Sequence, residues 1–586
     1  MKELFTISIL FLFSIAANAQ INEGGIPLSF SEIGNISARQ YIPQETLPSP
    51  NIQALVAEDS KVINKPNHLF RIGALMPADI SYPGSGVMTT LNDGRKVWKA
   101  QVKIPNSAAI GIYYDKIHLP GGVKYYLYNE NEKQVLGAYT SAEVPEDGQW
   151  ANEKVQGEVV NLELDLDADV DPSAIALHIN DAAVFYRSVK YLDKYADRGG
   201  LLSAARKPIL DYDSSSPCEV NAICEGTTFA AQRKATVKIE YVSGGFVYGA
   251  SGIIVNNTRQ DCTPYMLTAS HVEPTNSTSN TTFRNWVFYF NYETPDCKYT
   301  GPQPDYSQTI TGGTFKARSS YDSSSDKIAG DFILLQLLSA IPATYGAYAV
   351  GWDRTGDIPT AQCVSFHHPS GDVMKVALSQ TVSPLGNFNN GEIDSHWEVN
   401  WATGGTEEGS SGGGLFDPNG RLIGDLSGGF VFSPVCLTKN ANGDVMADYA
   451  EYSKFYLNWL YTFESPSSSA TRLKDWLDPD NLGDTVLDAI SCGTTYVNTQ
   501  KKSINTISVF PNPTNGIAYV NLNFDHPTEV KIDVLNTIGV ECLQLDLQSV
   551  NSGQYKLDLS NKPTGLYLVR ISANNYVYTH KIMLVK

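Results

Sequence analysis

The sequence predicts an all-β protein built from several domains. Gly (47), Pro (30) and Tyr (32) are abundant, long charged helical repeats are absent, and apolar residues alternate with polar ones in short runs bounded by turn residues. At about 150 residues per domain, the 586 residues imply three to four domains. With 42% hydrophobic and 18% charged residues the chain can bury several cores and is neither disordered nor collagen-like. Acidic residues outnumber basic ones 62 to 43, for a net charge of -19. That balance argues against a phosphate-neutralising surface, so no nucleic acid is expected as a partner.

Residues 1–19 read as a secretory signal. Lys2 precedes an apolar run from Leu4 to Ala16, and Ala17-Asn18-Ala19 forms a small-residue cleavage site before Gln20. No other stretch reaches the roughly 18 apolar residues needed to span a bilayer. Residues 20–212 are expected to form a β-sandwich: Trp98, Ala100, Val102 and Ile104 alternate with Lys99, Gln101 and Lys103, and Tyr125-Tyr126-Leu127-Tyr128 follows a turn at Pro120-Gly121-Gly122. Asp165, Asp167, Asp169 and Asp171 do not make a calcium loop. Val170 and Ala176 stand where it needs Gly and Glu, so the run reads as a solvated strand end. Between Tyr195 and Pro217 lie Arg198, Gly199-Gly200, Arg206-Lys207 and Ser214-Ser215-Ser216, an exposed linker open to processing.

Residues 213–492 have the size of a decorated double β-barrel and close in a helix-like segment with Leu473, Trp476 and Leu477 before Asp478-Pro479. Residues 503–586 change character: Val520, Leu522 and Phe524 alternate, as do Val530, Ile532 and Val534, then Tyr567, Val569 and Ile571. A small antiparallel sandwich is predicted there.

Three segments of the middle region carry chemistry. Tyr265-Met266-Leu267-Thr268-Ala269-Ser270-His271 is an apolar strand running into small residues and a His. Gly330-Asp331-Phe332-Ile333-Leu334-Leu335 sets a carboxylate at the mouth of an apolar strand, a costly burial unless something bonds it. Gly409-Ser410-Ser411-Gly412-Gly413-Gly414 is a Gly-flanked turn framed by the alternating Trp397, Val399 and Trp401 and by a hairpin at Asn419-Gly420. Such a turn exposes a hydroxyl and lets backbone N–H groups approach a substrate. The order His, Asp, Ser along one barrel-sized region is that of chymotrypsin-like proteases.

Thr406-Glu407-Glu408-Gly409-Ser410-Ser411-Gly412, Ser365-Phe366-His367-His368-Pro369-Ser370-Gly371-Asp372 and Asp331-Phe332 resemble the lysyl endopeptidase family of secreted bacterial serine proteases. Val509-Phe510-Pro511-Asn512-Pro513-Thr514-Asn515-Gly516, Gly565-Leu566-Tyr567 and the final Lys581-Ile582-Met583-Leu584-Val585-Lys586 resemble the type A sorting domain of the type IX secretion system. The first resemblance implies a chymotrypsin-like double barrel in which Ser411 attacks, His271 moves the proton and Asp331 fixes the imidazole, with the N–H groups of Gly409 and Ser411 as oxyanion hole. It also implies disulfides Cys218–Cys436 and Cys224–Cys297. His367-His368 then belong to a structural turn, and neither a metal nor a cofactor is expected. The second implies contact with the type IX machinery and release or attachment outside the outer membrane.

Two departures matter. Family members carry Cys directly after the catalytic His, bonded to one matching Cys262, but Val272 follows His271. The sequence leaves open whether two of Cys262, Cys363 and Cys492 pair or all stay free, and Cys542 reads as a buried apolar residue. Position 405, six before Ser411, is Gly, so a basic-residue preference needs a carboxylate from elsewhere. Counting back from Tyr452 puts Ala450 where the family has its Asp, and Asp448 fits with a two-residue shift, with Glu451 and Asp444 as substitutes. The sequence therefore points to a secreted endopeptidase acting on proteins or peptides, with Asp448 as reader of Lys. The reading from another class is a catalytically silent homologue acting as an adhesin.

Overall fold

A computed structural model describes residues 24–31, 41–62, 69–196, 215–301, 304, 308–321, 329–388, 394–430, 438–439, 445–446, 449–463, 467–492, 508–536, 540–573 and 576–586. Among them strands dominate and helices are short, the longest being Ile52–Val62. The linker from 197 to 214, Cys436, Asp444 and Asp448 lie outside the described residues.

The N-terminal region is a sandwich. One sheet has the order Gln44–Thr46, Lys96–Lys103, Val159–Leu166, Val123–Asn129 and Val135–Tyr139, with Val87–Thr90 added beside Lys96–Lys103. Trp98, Ala100, Val102, Leu127, Leu162 and Leu164 from this sheet pack against Ile110, Ile112, Tyr114, Ile179 and Val184 from Ala109–His118 and Ala176–Phe185 of the other. The period-2 apolar faces thus meet in one core. Asp165, expected to be solvated, is buried and accepts a bond from the Leu28 N–H (2.8 Å). Burial and the neighbouring Glu163 push its pKa to about 8, whereas Asp167, Asp169 and Asp171 are exposed.

The middle region contains two barrels. The first runs Gln308–Thr311, Val287–Phe290, Thr236–Ser243, Phe246–Val255, Tyr265–Thr268, Ile333–Leu337 and Gly313–Arg318. The second runs Lys375–Gly386, Val364–His367, Gly414–Phe416, Leu422–Phe430, Tyr449–Lys454 and His396–Thr403, and the last strand pairs back with the first to close it. Phe70–Ser81 pairs with both Ala176–Phe185 and Phe246–Val255, so one 12-stranded sheet runs from the N-terminal sandwich into the first barrel. The helix-like segment is a single turn, Lys474–Leu477, with Leu473 and Leu477 buried.

Cys224 bonds Cys297, and Cys262 bonds Cys492 across 230 residues of chain. The Cys262 partner that the sequence left open is therefore Cys492. Cys363 is a buried thiol and Cys542 a half-buried one. Residues 508–586 form a separate unit of five antiparallel strands, whose core includes Val520, Leu522, Val530, Ile532, Val534, Tyr567, Val569 and Ile571.

Candidate active site

Register brings the acid to the base. Thr268 pairs with Ile333, so Ser270-His271, just past one strand, falls beside Asp331, two residues before the other. The Asp331 Oδ2 lies 2.7 Å from His271 Nδ1, while Oδ1 accepts from the His271 backbone N–H (2.9 Å) and the Ser270 hydroxyl (2.8 Å). Asp331 is fully buried. Burial alone would raise its pKa, but electrostatic attraction to His271, the His271 ring and backbone N–H bonds and a bond from Ser427 hold it well below the usual carboxylate range. The second barrel grips the same residue: the Asp331 N–H donates to the Ser453 hydroxyl (2.9 Å), which Asn458 also reaches (2.8 Å).

An ionised Asp331 accepts at Nδ1, so that nitrogen carries the imidazole proton and Nε2 is left as acceptor. Nε2 lies 2.9 Å from the Ser411 hydroxyl. The three residues singled out from separate segments thus form one hydrogen-bonded line between the barrels.

The Ser411 turn is held from the first barrel. Ser251 donates its N–H to the Ser411 carbonyl and its hydroxyl to the Gly409 carbonyl, each at 2.9 Å. Gly409 and Gly412 have φ of +89° and +80°, and a Cβ at Gly412 would collide with Thr268 Oγ1 and the Ser251 carbonyl. Both positions need glycine for the backbone angle, and Gly412 for space as well. The Glu408 carbonyl is engaged by the Ser370 N–H (2.6 Å) and the Ser410 carbonyl by the Gly413 N–H (2.9 Å). In a trans peptide the N–H points opposite its carbonyl, so the N–H groups of Gly409 and Ser411 are turned away from these anchors.

Ser410, directly before Ser411, sits in a neutral network. Its hydroxyl lies 2.8 Å from His367 Nδ1 and accepts from the Glu407 N–H (3.1 Å). His368 Nδ1 faces the Asp372 carbonyl (3.0 Å), and its ring stacks on Tyr292. Both imidazoles are pushed down to about 3, chiefly by burial, so both are neutral at physiological pH. Among the described residues no group of three or more His, Cys, Asp or Glu is arranged to hold a metal ion.

Beside the turn, Ala450 is fully buried, paired with Val399 on one side and Gly429 on the other, and the Tyr452 hydroxyl donates to Ser365 (2.8 Å). Sequence reasoning missed two carboxyls here. Both Glu219 oxygens are buried; burial, then Glu407, push its pKa well up, against Lys375 and the Gly405 N–H. Asp425, fully buried, is pushed well up by burial and by the Asp331 charge. The clue for Glu219 was its place directly after Cys218, a residue that is disulfide-bonded. Asp425 sits in an apolar strand and carried no such clue.

Residues 212–449 match the family described as lysyl endopeptidase, C-terminal domain. Residues 508–586 match the secretion system C-terminal sorting domain, a tail that marks the chain for export by the type IX system to the cell surface or extracellular space. A lysyl endopeptidase of Pseudomonas aeruginosa is 26% identical over 314 residues, which cover 52% of this chain and 62% of that protein. The chain thus spans somewhat under two thirds of that relative. Among solved structures, a thermostable serine protease, AL20, from an extremophilic microorganism is 15% identical with a TM-score of 0.27, covering 38% of this chain and 92% of its own. A Glu endopeptidase is 14% identical with a TM-score of 0.24, covering 40% of this chain and 91% of its own.

Proposed function

We propose that residues 213–492 are a serine endopeptidase that cleaves proteins or peptides after Lys. The observation that carries the reading is the hydrogen-bonded line Asp331–His271–Ser411, 2.7 and 2.9 Å at its two links. Ser411 attacks the scissile carbonyl while His271 Nε2 takes its proton; the proton passes to the leaving amine, and water repeats the cycle on the acyl-enzyme. Asp331 keeps the imidazole tautomer and stabilises the imidazolium. The Gly409 and Ser411 N–H groups receive the oxyanion, an interaction whose loss costs about 2.7–4 kcal/mol of barrier.

The chain is made as a precursor, with residues 20–212 as a propeptide and the cut between about Tyr195 and Ser216. Trypsin-like zymogens place an ion-pairing Asp directly before the nucleophile. Here that position is Ser410, held by His367 and the Glu407 N–H, so the site is already shaped before the cut, which does not supply a buried cation. The Lys preference rests on the family match and on Asp448 as reader; a substrate ammonium facing a buried carboxylate gains selectivity over neutral side chains. Mass spectrometry of peptides released from a denatured protein by the purified enzyme tests the reading. Peptides ending in Lys support it, cleavage elsewhere removes the Lys assignment, and no cleavage favours the adhesin.

A further inference from the structure

We infer that the N-terminal sandwich stays bound to the barrels after the linker is cut, as a non-covalent partner of the protease-like region. The inference concerns the interface alone and stands whether or not Ser411 is a nucleophile.

The seam is a β-ladder. Phe70, Arg71, Gly73 and Ala74 pair with Gly249, Tyr248, Val247 and Phe246, and the Leu75 N–H donates to the Gly245 carbonyl (3.0 Å). Without the Phe70–Ser81 strand, this half of Phe246–Val255 would be an open sheet edge, its N–H and C=O groups unpaired and liable to associate with other chains.

A buried ion cluster crosses the same seam. Lys154, from the sandwich, places its ammonium 2.6 Å from Glu240 Oε1 of the first barrel and 2.9 Å from the Ser188 carbonyl. Lys154 is 1% and Glu240 3% exposed. Glu240 also accepts from the Tyr289 hydroxyl (2.9 Å) and lies 3.1 Å from the Lys238 ammonium. Separating the halves takes the Glu240 carboxylate from the Lys154 ammonium, which keeps the Ser188 carbonyl, and leaves Glu240 with Lys238 and Tyr289. Removing one member of a buried pair is strongly destabilising.

The seam also reaches the turn behind the nucleophile. At Gly371 a Cβ would lie 2.8 Å from Ser188 Oγ and 2.9 Å from Phe70 Cε1, so sandwich side chains close directly on the Pro369–Gly371 turn. Its Ser370 N–H anchors the Glu408 carbonyl. Cutting between 195 and 216 breaks none of these contacts.

The test uses the full chain carrying Ser411→Ala, so that self-digestion plays no part, with a recognition site for an added site-specific protease placed between Ala204 and Ala205. After complete cutting, the two pieces should co-elute in size-exclusion chromatography in native buffer and part only in denaturant. Lys154→Met should raise the dissociated fraction at least tenfold, and Glu240→Gln should do the same if the Lys154 variant fails to fold. Pieces that separate in native buffer, or folded variants that co-elute as tightly as the parent, overturn the inference.

Discussion

Replacing Asp331 by Asn changes one atom, and the surrounding bonds dictate its effect. Oδ1 accepts from both the His271 N–H and the Ser270 hydroxyl, so an amide oxygen must take that place. The amide NH2 then faces His271 Nδ1, which must turn from donor to acceptor, and the ring proton moves to Nε2. Nε2–H now points at the Ser411 hydroxyl 2.9 Å away and cannot take its proton. Imposing the wrong tautomer in such a triad lowers kcat by about 10⁴, or about 5.4 kcal/mol of barrier. Because a charge-assisted bond is exchanged for a neutral one, at about 1.5–3 kcal/mol, the variant's thermal unfolding must first show that it is folded at the assay temperature. The assay is kcat/KM on a Lys ester or amide substrate. A folded Asp331→Asn enzyme within tenfold of the parent would refute the tautomer argument.

Further outcomes follow from other positions. Asp448→Asn should abolish the preference for Lys in a digest while sparing the acyl-enzyme chemistry, and unchanged selectivity removes Asp448 from the pocket. Glu451 is raised from 4.5 to about 7 by burial and then by Glu398, so the folded state holds a proton that the unfolded chain releases earlier. Its contribution is complete below pH 4.5 and lost as pH rises through 7. Glu451→Gln should therefore match the parent near pH 4 and exceed it above pH 7, by at most about 3 kcal/mol at 1.36 kcal/mol per unit; equal urea midpoints at pH 8 would contradict this. Burial pushes the Cys363 thiol up to about 12, so native alkylation should label Cys542 and reach Cys363 only on unfolding, with Cys262 and Cys492 recovered as one cross-linked peptide.

Local pattern carried much of the fold. Trp98, Ala100, Val102 and Ile104 are all buried, as is the Val530, Ile532, Val534 series, because alternation records which face a strand buries; the run Tyr125 through Tyr128 is buried on both faces. The His, Asp and Ser segments were legible because each needed an unusual local setting, and register brought them together. What stayed hidden is non-local. Nothing within Phe70–Ser81 says that it pairs on both edges with strands some 100 and 170 residues onward. Cys262 and Cys492 meet only through the closed fold. Asp165 resembled its exposed neighbours, yet the Leu28 N–H covers it, a contact made by chain far away in sequence. The buried Glu219 and Asp425 show the same limit: charge in a sequence reads as solvated until packing says otherwise.

The central claim is that Ser411 is the activated nucleophile of a competent enzyme. Intact-protein mass spectrometry of the exported, processed chain after incubation with a fluorophosphonate measures this directly. The account predicts one adduct per molecule, mapped to the peptide containing Ser411, formed at a rate that falls at least a thousandfold in a folded His271→Ala variant and absent in Ser411→Ala. A processed chain that folds, secretes and gains no adduct, or gains it at another residue, would contradict it.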